Sequence, residues 1–244
     1  MHVYNLNYLA LPPVSRIEVG LQHCVALTTS GKLYGWGKGD RGKLITNEET
    51  NFPVPLKIKY PVKDISLGFN HTAILTPQGD VYVWGKGMSD TVKKSGLFVI
   101  YEDQFTPRLL KVPGGKRVVE ICSGSFSLVA KCEDGSVWAI GIGEYDRNTI
   151  AEFIPVLGLD VDDHLIIDNS YFLKKGHQRV TLARKNGESY QIVIHNKEAY
   201  LKNNFDNIRQ IKELVSSRSN GVLIDVSTGW KHDLIIVGSS INLE

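Results

Sequence analysis

Three histidines recur in one local pattern, Gly-x-x-His, and their side chains could supply metal ligands. His23, His71 and His232 each stand three residues after a glycine. Neutral imidazole is a common metal ligand, so a metal site is one interpretation of this pattern. Metal binding would require the three rings to converge, whereas equivalent residues of a repeat normally lie apart in the fold. We therefore expect structural histidines, each ring bonded to a neighbouring turn, and we predict no metal site.

The rest of the chain lacks the residue patterns of common enzymes. Neither a catalytic pair of carboxylates nor a serine nucleophile elbow can be read from it. The glycine-rich stretch 37–43, GKGDRGK, ends in Gly-Lys without the Ser or Thr that follows in a phosphate-binding loop. The sequence thus predicts a protein that is not an enzyme and that needs no cofactor.

Composition restricts the partners and the compartment. A formal charge of +2 over 244 residues, with no block of like charge, predicts no nucleic-acid partner. No apolar run approaches the roughly 18 residues of a membrane span. Three cysteines, Cys24, Cys122 and Cys132, form no disulfide framework, and the N-terminus shows no signal-peptide pattern. We expect free thiols and a cytoplasmic or nuclear protein.

A repeat of about fifty residues organises the chain. Residues 17–37 read IEVGLQHCVALTTSGKLYGWG, and residues 65–85 read ISLGFNHTAILTPQGDVYVWG. Both contain Gly-x-x-His, an apolar run, a second glycine eleven residues after the first, and Tyr-x-Trp-Gly. Weaker copies begin at 121 and 173, and half a copy begins at 226. Repeats of this length with several short strands are typical of propellers.

Each copy predicts short strands joined by tight turns. The runs CVALTT and TAILTP are β-rich and too short for helices. A residue pair ending in glycine follows at 30–31, 78–79, 134–135 and 186–187, which favours hairpin turns. Gly37 and Gly85 indicate close approach of neighbouring backbone. Only 205–217 has helical spacing; it predicts one short helix, packed against the propeller wall or bound to a partner.

The first two copies resemble the repeat of the regulator of chromosome condensation family. Copy one carries the family pattern through Gly20, His23, Gly31, Tyr34 and Trp36. The resemblance implies an all-β fold, a β-propeller that is typically seven-bladed and closed by an N-terminal strand in the last blade. The glycine spacings leave room for about five blades. We expect a single domain, 1–244, with repeats near 14–61, 62–117, 118–170, 171–221, and 222–244 plus 1–8.

The resemblance also implies that the two residues after each first glycine lie in loops on one face of the propeller. Aromatic residues among them predict a partner-binding surface, because interface hot spots favour such side chains. The alternative is that one or two rings fill the channel. The predicted surface contains Leu21, Phe69, Asn70, Phe126, His177, Trp230 and Lys231. A second candidate set follows the Tyr-x-Trp strands and contains Lys38, Asp40, Arg41, Lys86 and Asp90.

Members of the family perform several tasks on this scaffold. We predict a non-catalytic, protein-binding adaptor or accessory subunit. Within the family, the chain is most similar to a small fungal propeller that assists transfer-RNA modification and diphthamide synthesis with a small metal-binding protein. The alternative is a guanine-nucleotide exchange factor for a small Ran-like GTPase. It ranks second because exchange factors typically carry a basic N-terminal tail, and here the first predicted strand begins at His2.

Overall fold

The computed structural model describes most of the chain as β-strands. The described residues are 9–86, 92–95, 98–142, 149–159, 170–175, 179–186, 188–195, 198–202, 215–217, 221–228 and 233–239. Helical backbone within them is confined to short stretches, and none of it is long and apolar enough to cross a membrane.

The strands form the blades of a β-propeller. The first three blades each contain four antiparallel strands. Blade 1 consists of β1 (Val14–Val19), β2 (His23–Thr28), β3 (Leu33–Lys38) and β4 (Glu49–Pro55). Blade 2 consists of β5 (Asp64–Leu67), β6 (His71–Leu75), β7 (Val81–Gly85) and β10 (Gln104–Leu110). Blade 3 consists of β11 (Val118–Ser123), β12 (Ser127–Cys132), β13 (Val137–Ile142) and β14 (Thr149–Leu159).

The fourth and fifth blades complete the order along the chain. Blade 4 consists of β15 (Tyr171–Lys175), β16 (Val180–Arg184), β17 (Ser189–His195) and β18 (Glu198–Lys202). Blade 5 is represented by two antiparallel strands, β19 (Gly221–Thr228) and β20 (Asp233–Ser239). Contacts run from β1 to β5, from β5 to β11, from β11 to β15 and from β15 to β19, so the first strand of each blade faces the central channel. The prediction of an all-β propeller of about five blades is confirmed.

Two features interrupt the regular blade pattern. A hairpin of β8 (Val92–Ser95) and β9 (Phe98–Tyr101) is inserted before the outer strand of blade 2. Strand β14 is eleven residues long; its first part pairs with β13, and its end pairs in parallel with β18. This pairing of their outer strands joins blades 3 and 4 into one eight-stranded sheet.

Glycines occupy the conformations that the turn pattern predicts. In the turns between the second and third strands of blades 1 to 3, Gly31, Gly79 and Gly135 have φ values of 79°, 94° and 87°. These left-handed values are accessible to glycine at little cost, and this explains the second glycine of each copy.

The core lies between blades rather than within them. Val25, Leu27 and Leu33 of blade 1 pack against Ile65 and Trp84 of blade 2, all of them at most 4% exposed. Similar apolar clusters join blade 2 to blade 3 and blade 3 to blade 4. Since blades 2 and 3 are covered on both faces by their neighbours, their second strands read as nearly continuous apolar runs.

The ends of the ring differ from these interfaces. Ile17 and Val19 of β1 are 51% and 58% exposed, whereas Ile65 and Leu67, their equivalents in blade 2, are fully buried. The predicted N-terminal strand, residues 1–8, lies outside the described residues, so closure through that strand stays a prediction. The predicted helix at 205–217 is described only at 215–217, where Val215 packs against Ala183 and Leu223.

Candidate functional site

The loops that follow the first strands of blades 1 to 3 lie on one face of the propeller, here called the loop face. Each loop is closed by its own glycine; for example, the Gly20 amide donates to the His23 carbonyl at 2.8 Å. Backbone bonds then link the loops across blades. The Leu21 amide donates to the Phe69 carbonyl at 3.3 Å, and the Phe69 amide donates to the Ser125 carbonyl at 2.9 Å. The loop face is therefore held by backbone contacts, independently of its side chains.

Three apolar side chains stand on this fixed backbone and form the loop-face patch: Leu21, Phe69 and Phe126. The rings of Phe69 and Phe126 meet edge to face, with centroids 5.2 Å apart. Leu21 is 54% exposed and Phe126 is 48% exposed, while Phe69 is half-buried. Such T-shaped pairs are favourable for aromatic rings, and a held, exposed apolar cluster is typical of a binding surface.

The second predicted set lies on the same face. The Lys38 amide donates to the Gln22 carbonyl at 2.8 Å, which brings the loop after β3 beside the loop after β1. The Lys86 amide makes the equivalent bond to the Asn70 carbonyl in blade 2, also at 2.8 Å. Lys38, Asp40 and Arg41 are exposed at the edge of this face. The structure thus places both sets of predicted residues in blades 1 and 2 on one side of the molecule.

Two of these charged residues make specific contacts. Arg41 forms an ion pair with Asp103 at 3.4 Å. Asp40 forms one with Lys43 at 2.8 Å, and the hydrogen bond from the Lys43 ammonium lowers the pKa of the Asp40 carboxyl. The Lys43 side chain is fully buried and also donates to Asn70 Oδ1 at 3.3 Å. Sequence reasoning missed this buried lysine, since lysine is seldom fully buried and the pattern around it gives no burial signal.

The Lys43 backbone anchors the loop after β3 to the next blade. Its carbonyl oxygen accepts hydrogen bonds from Thr72 Oγ1 at 2.8 Å and from Trp84 Nε1 at 3.0 Å. Trp84 is fully buried, so its ring N–H needs such an acceptor. The tryptophan of the repeat therefore fixes the preceding blade's loop at the edge of the loop face.

The repeated histidines act as connections between blades. His23 Nε2 lies 3.2 Å from Thr72 Oγ1 of blade 2, and His71 Nε2 lies 3.1 Å from Ser123 Oγ of blade 3. Burial lowers the pKa of His23 to about 3 and that of His71 to about 4. The Thr72 hydroxyl donates its hydrogen bond to the Lys43 carbonyl oxygen, so His23 must donate from Nε2. Because the lowered pKa keeps the ring neutral, its single proton lies on that atom.

A metal site has no support in the part of the chain that the structure describes. No group of three His, Cys, Asp or Glu side chains that could hold a metal ion occurs among those residues. His177, Trp230 and Lys231 of the predicted surface, Asp90 of the second set and His232 of the repeat lie outside the described residues. Their membership of the loop face stays a prediction.

Comparisons with known proteins agree with the repeat pattern. The sequence model of the Regulator of chromosome condensation (RCC1) repeat matches residues 14–43 and 62–88. The E3 ubiquitin-protein ligases HERC2 of Homo sapiens and Mus musculus are each 34% identical over 146 residues. That match covers 54% of this chain but only 3% of either ligase.

Two solved structures share the fold over nearly the whole chain. Human WBSCR16 matches with a TM-score of 0.67 at 16% identity, covering 98% of this chain and 61% of that one. Prp20p of Saccharomyces cerevisiae, described with its binding properties to Gsp1p and histones, matches with a TM-score of 0.64 at 15% identity. The match covers 97% of this chain and 58% of Prp20p. Two segments of the chain therefore match the repeat of the regulator of chromosome condensation family, and the chain folds as a β-propeller.

Proposed function

We propose that the protein is a non-catalytic binding module whose loop face docks onto another protein. The observation that carries this proposal is the loop-face patch of Leu21, Phe69 and Phe126. Its backbone is fixed by bonds between blades, yet two of its three side chains are about half exposed. A preorganised apolar patch loses little entropy on binding, which is the property that a hot spot needs.

The charged residues beside the patch favour a specific partner rather than unspecific apolar contact. Lys38, Asp40 and Arg41 lie at the edge of the same face and are exposed. Rim charges chiefly steer association and exclude wrong partners, while the apolar centre supplies affinity. We propose the cytoplasm or nucleus as the compartment, because Cys24, Cys122 and Cys132 are free thiols, as is usual in a reducing compartment.

The finer proposal is an accessory subunit in transfer-RNA modification or diphthamide synthesis, with a small metal-binding protein as partner. It rests on the resemblance of the nearly neutral propeller to the small fungal member of the family. The second candidate is nucleotide exchange on a small GTPase. The fold similarity to Prp20p, which is described as binding Gsp1p, supports it.

A capture experiment with matched variants tests the docking proposal. The double variant Leu21→Ser, Phe126→Ser removes most of the exposed patch but leaves the backbone bonds, so its melting temperature should stay close to that of the wild type. Phe52→Ser is the control, since Phe52 is 74% exposed on the outer strand β4. Proteins bound by the wild type and by the control, but lost with the double variant, are loop-face partners. Equal capture by all three forms contradicts the proposal.

The captured partner also separates the two candidates. A small protein that contains zinc or iron, measured by metal analysis, supports the accessory role. A small GTPase that releases bound nucleotide faster in the presence of the propeller supports exchange activity.

A further inference from the structure

The hairpin turns after the second strands and the connections between blades lie on the face opposite to the loop face, here called the turn face. Strand β4 runs antiparallel to β3, so it ends on this face, and the connection 56–63 leads from there to β5. In the same way β10 ends on this face, and the connection 111–117 leads to β11. The turn face contains none of the residues of the loop-face patch.

Positive charge is concentrated on the turn face of blades 1 and 2. Its exposed cations among the described residues are Lys32, Lys57, Lys59, Lys63 and Lys111. The exposed carboxylate beside them is Asp80, in the hairpin turn of blade 2. Five positive charges against one negative charge leave an excess of four, whereas the whole chain has a formal charge of only +2. The two faces of the propeller therefore differ in charge, which the total does not reveal.

Backbone contacts bring the lysines of blade 1 together. The Leu56 amide donates to the Leu33 carbonyl at 2.9 Å. Lys57 follows Leu56 and Lys32 precedes Leu33, so the two lysines lie side by side at the end of blade 1. Lys111 holds the place of Lys57 in blade 2, directly after the outer strand.

A pair of tyrosines connects the lysines of the two blades. The Lys59 ammonium lies 5.3 Å from the centre of the Tyr60 ring. That ring stacks on the ring of Tyr82 with centroids 3.8 Å apart. Tyr82 pairs across the sheet with Leu109, two residues before Lys111. One continuous surface, here called the turn-face patch, thus contains Lys32, Lys57, Lys59 and Lys111.

The next connection shows what balances such cations elsewhere on the turn face. Lys116 pairs with Asp134 at 2.7 Å, and Arg117 pairs with Glu133 at 3.1 Å. Both carboxylates belong to the hairpin turn of blade 3, Glu-Asp-Gly-Ser. The hairpin turn of blade 2 reads Pro-Gln-Gly-Asp at 77–80, so it has no carboxylate at the two equivalent places.

The lysines of the turn-face patch have no such partners in the part of the chain that the structure describes. None of the four forms an ion pair there. The adjacent channel supplies no surplus of carboxylates, because three cations and three carboxylates line its cavity: Arg16, Lys174, Lys175, Glu18, Asp64 and Glu120. Asp80 can offset one charge of the patch at most, so most of its positive charge is uncompensated.

We propose that the turn-face patch binds an acidic segment of another protein. Its Asp or Glu carboxylates would take the role that Glu133 and Asp134 have in blade 3. Each exposed ion pair contributes little alone, but several like charges on one surface attract and orient an oppositely charged segment. The inference does not depend on the loop-face proposal, because the two surfaces lie on opposite faces and share no residue.

A nucleic acid fits this patch less well than an acidic protein segment. Surfaces that bind single strands present aromatic ring faces to the bases. Here Tyr60 and Tyr82 stack on each other, which occupies one face of each ring, and Lys59 lies over Tyr60. The patch also contains no arginine, whose planar fork is preferred for phosphate recognition.

Fluorescence anisotropy of labelled probes mixed with the full chain tests the inference. The first probe is a short oligoglutamate peptide, and the second is oligoglutamine of the same length. We expect saturable binding of oligoglutamate that weakens as salt is added, and binding of oligoglutamine weaker by roughly tenfold or more. The third probe is an oligouridylate of the same length. Tighter binding of oligouridylate than of oligoglutamate would indicate a nucleic-acid surface and contradict the inference.

Two double variants locate the site. Lys57→Gln, Lys59→Gln should weaken oligoglutamate binding roughly tenfold. Lys38→Gln, Lys86→Gln changes the net charge equally but on the loop face, and it should bind oligoglutamate like the wild type. All four lysines are exposed, so both variants should fold. Absence of saturable binding, an equal loss in the two variants, or a greater loss in the loop-face variant would each overturn the inference.

Discussion

At the scale of single residues, the repeated histidines connect neighbouring blades of the propeller. The Nε2 atoms of His23 and His71 each form a hydrogen bond with a hydroxyl group of the following blade. A Cβ atom on Gly20 or Gly68 would overlap the ring of the histidine three residues later. The Gly-x-x-His pattern is therefore a packing unit: the glycine leaves the space that the ring fills, and the ring spans to the next blade.

These buried histidines make the free energy of unfolding depend on pH. Their folded pKa values, about 3 and about 4, lie below the unfolded value near 6.5. The unfolded chain takes up protons first, so their contribution is complete above pH 6.5 and declines as the pH falls. We expect the free energy of unfolding of the protein to fall by about 2 kcal/mol per histidine between pH 7 and pH 5. Urea unfolding across this range measures the loss.

A variant isolates the effect. His71→Gln can still donate toward Ser123 but cannot be protonated, so its stability should fall by about 2 kcal/mol less than that of the wild type over the same range. Ile74→Val lowers stability without removing a titrating group and should keep the wild-type slope. If His71→Gln also keeps that slope, His71 is not the buried neutral ring described above.

Residue types predicted the connecting histidines but not a cavity of about 260 Å³ among the first strands of blades 1 to 4, which Arg16, Asp64 and Glu120 help to line. The pattern Gly-x-x-His repeats visibly, and its structural interpretation required only that repeats place equivalent residues apart. Arg16, Asp64 and Glu120 also repeat, as a charged residue before an isoleucine, but their signs differ. A repeat search by residue identity passes over them. Their meeting in one cavity depends on the curvature of the ring, which no local pattern contains.

At the scale of the element, the third strands of blades 1 to 3 end at or near glycines that lie directly against the backbone of the neighbouring second strand. A Cβ atom on Gly85 would overlap the Asn70 carbonyl oxygen and lie 2.8 Å from the Cα atom of His71. Gly37 and Gly141 meet the equivalent backbone in blades 1 and 3. The close approach that the sequence predicts at Gly37 and Gly85 is confirmed, and it fixes the loops of the loop face.

Replacement of Gly85 should therefore be costly. Gly85→Ala combines a positive φ of 116° with a backbone clash, and we expect a loss of about 3 kcal/mol or more. Gly114→Ala is the matched control, since its φ is 77° but the nearest atom lies 4.0 Å away. It should cost about 1 kcal/mol, the strain of the left-handed conformation alone. Chemical denaturation compares the two; equal losses would mean that the backbone moves apart at Gly85.

Two other elements could not be predicted from the sequence, for physical reasons. The parallel pairing of β14 with β18 joins strands from two blades that are about forty residues apart, and pairing partners at such separation leave no periodic trace. The β8–β9 hairpin interrupts blade 2 between two strands that still pair with each other. The strands and turns of copies one and two were predictable because glycine spacing and apolar runs are local signals.

At the scale of the whole molecule, stability comes from one interface used repeatedly. The isoleucine at the start of copies two and three packs on the preceding blade: Ile65 is fully buried and Ile121 is 2% exposed. Ile17 holds the same place in blade 1 and is 51% exposed. Among the described residues, the junctions between successive blades are thus covered, whereas the face of β1 is exposed at Ile17 and Val19. A β-strand face left open in this way carries no share of the interblade packing energy.

Two equivalent substitutions measure this difference within one protein. Ile65→Ala removes a buried side chain between blades 1 and 2 and should cost about 2–5 kcal/mol. Ile17→Ala makes the same chemical change at the open face and should cost about 1 kcal/mol or less. Both values follow from urea unfolding monitored by tryptophan fluorescence. If Ile17→Ala approaches the cost of Ile65→Ala, the face of β1 is covered in solution as the other junctions are. The next variant would then lack residues 1–8, the predicted N-terminal strand. If that strand pairs in the last blade, it would lie against β1 and bury its exposed face.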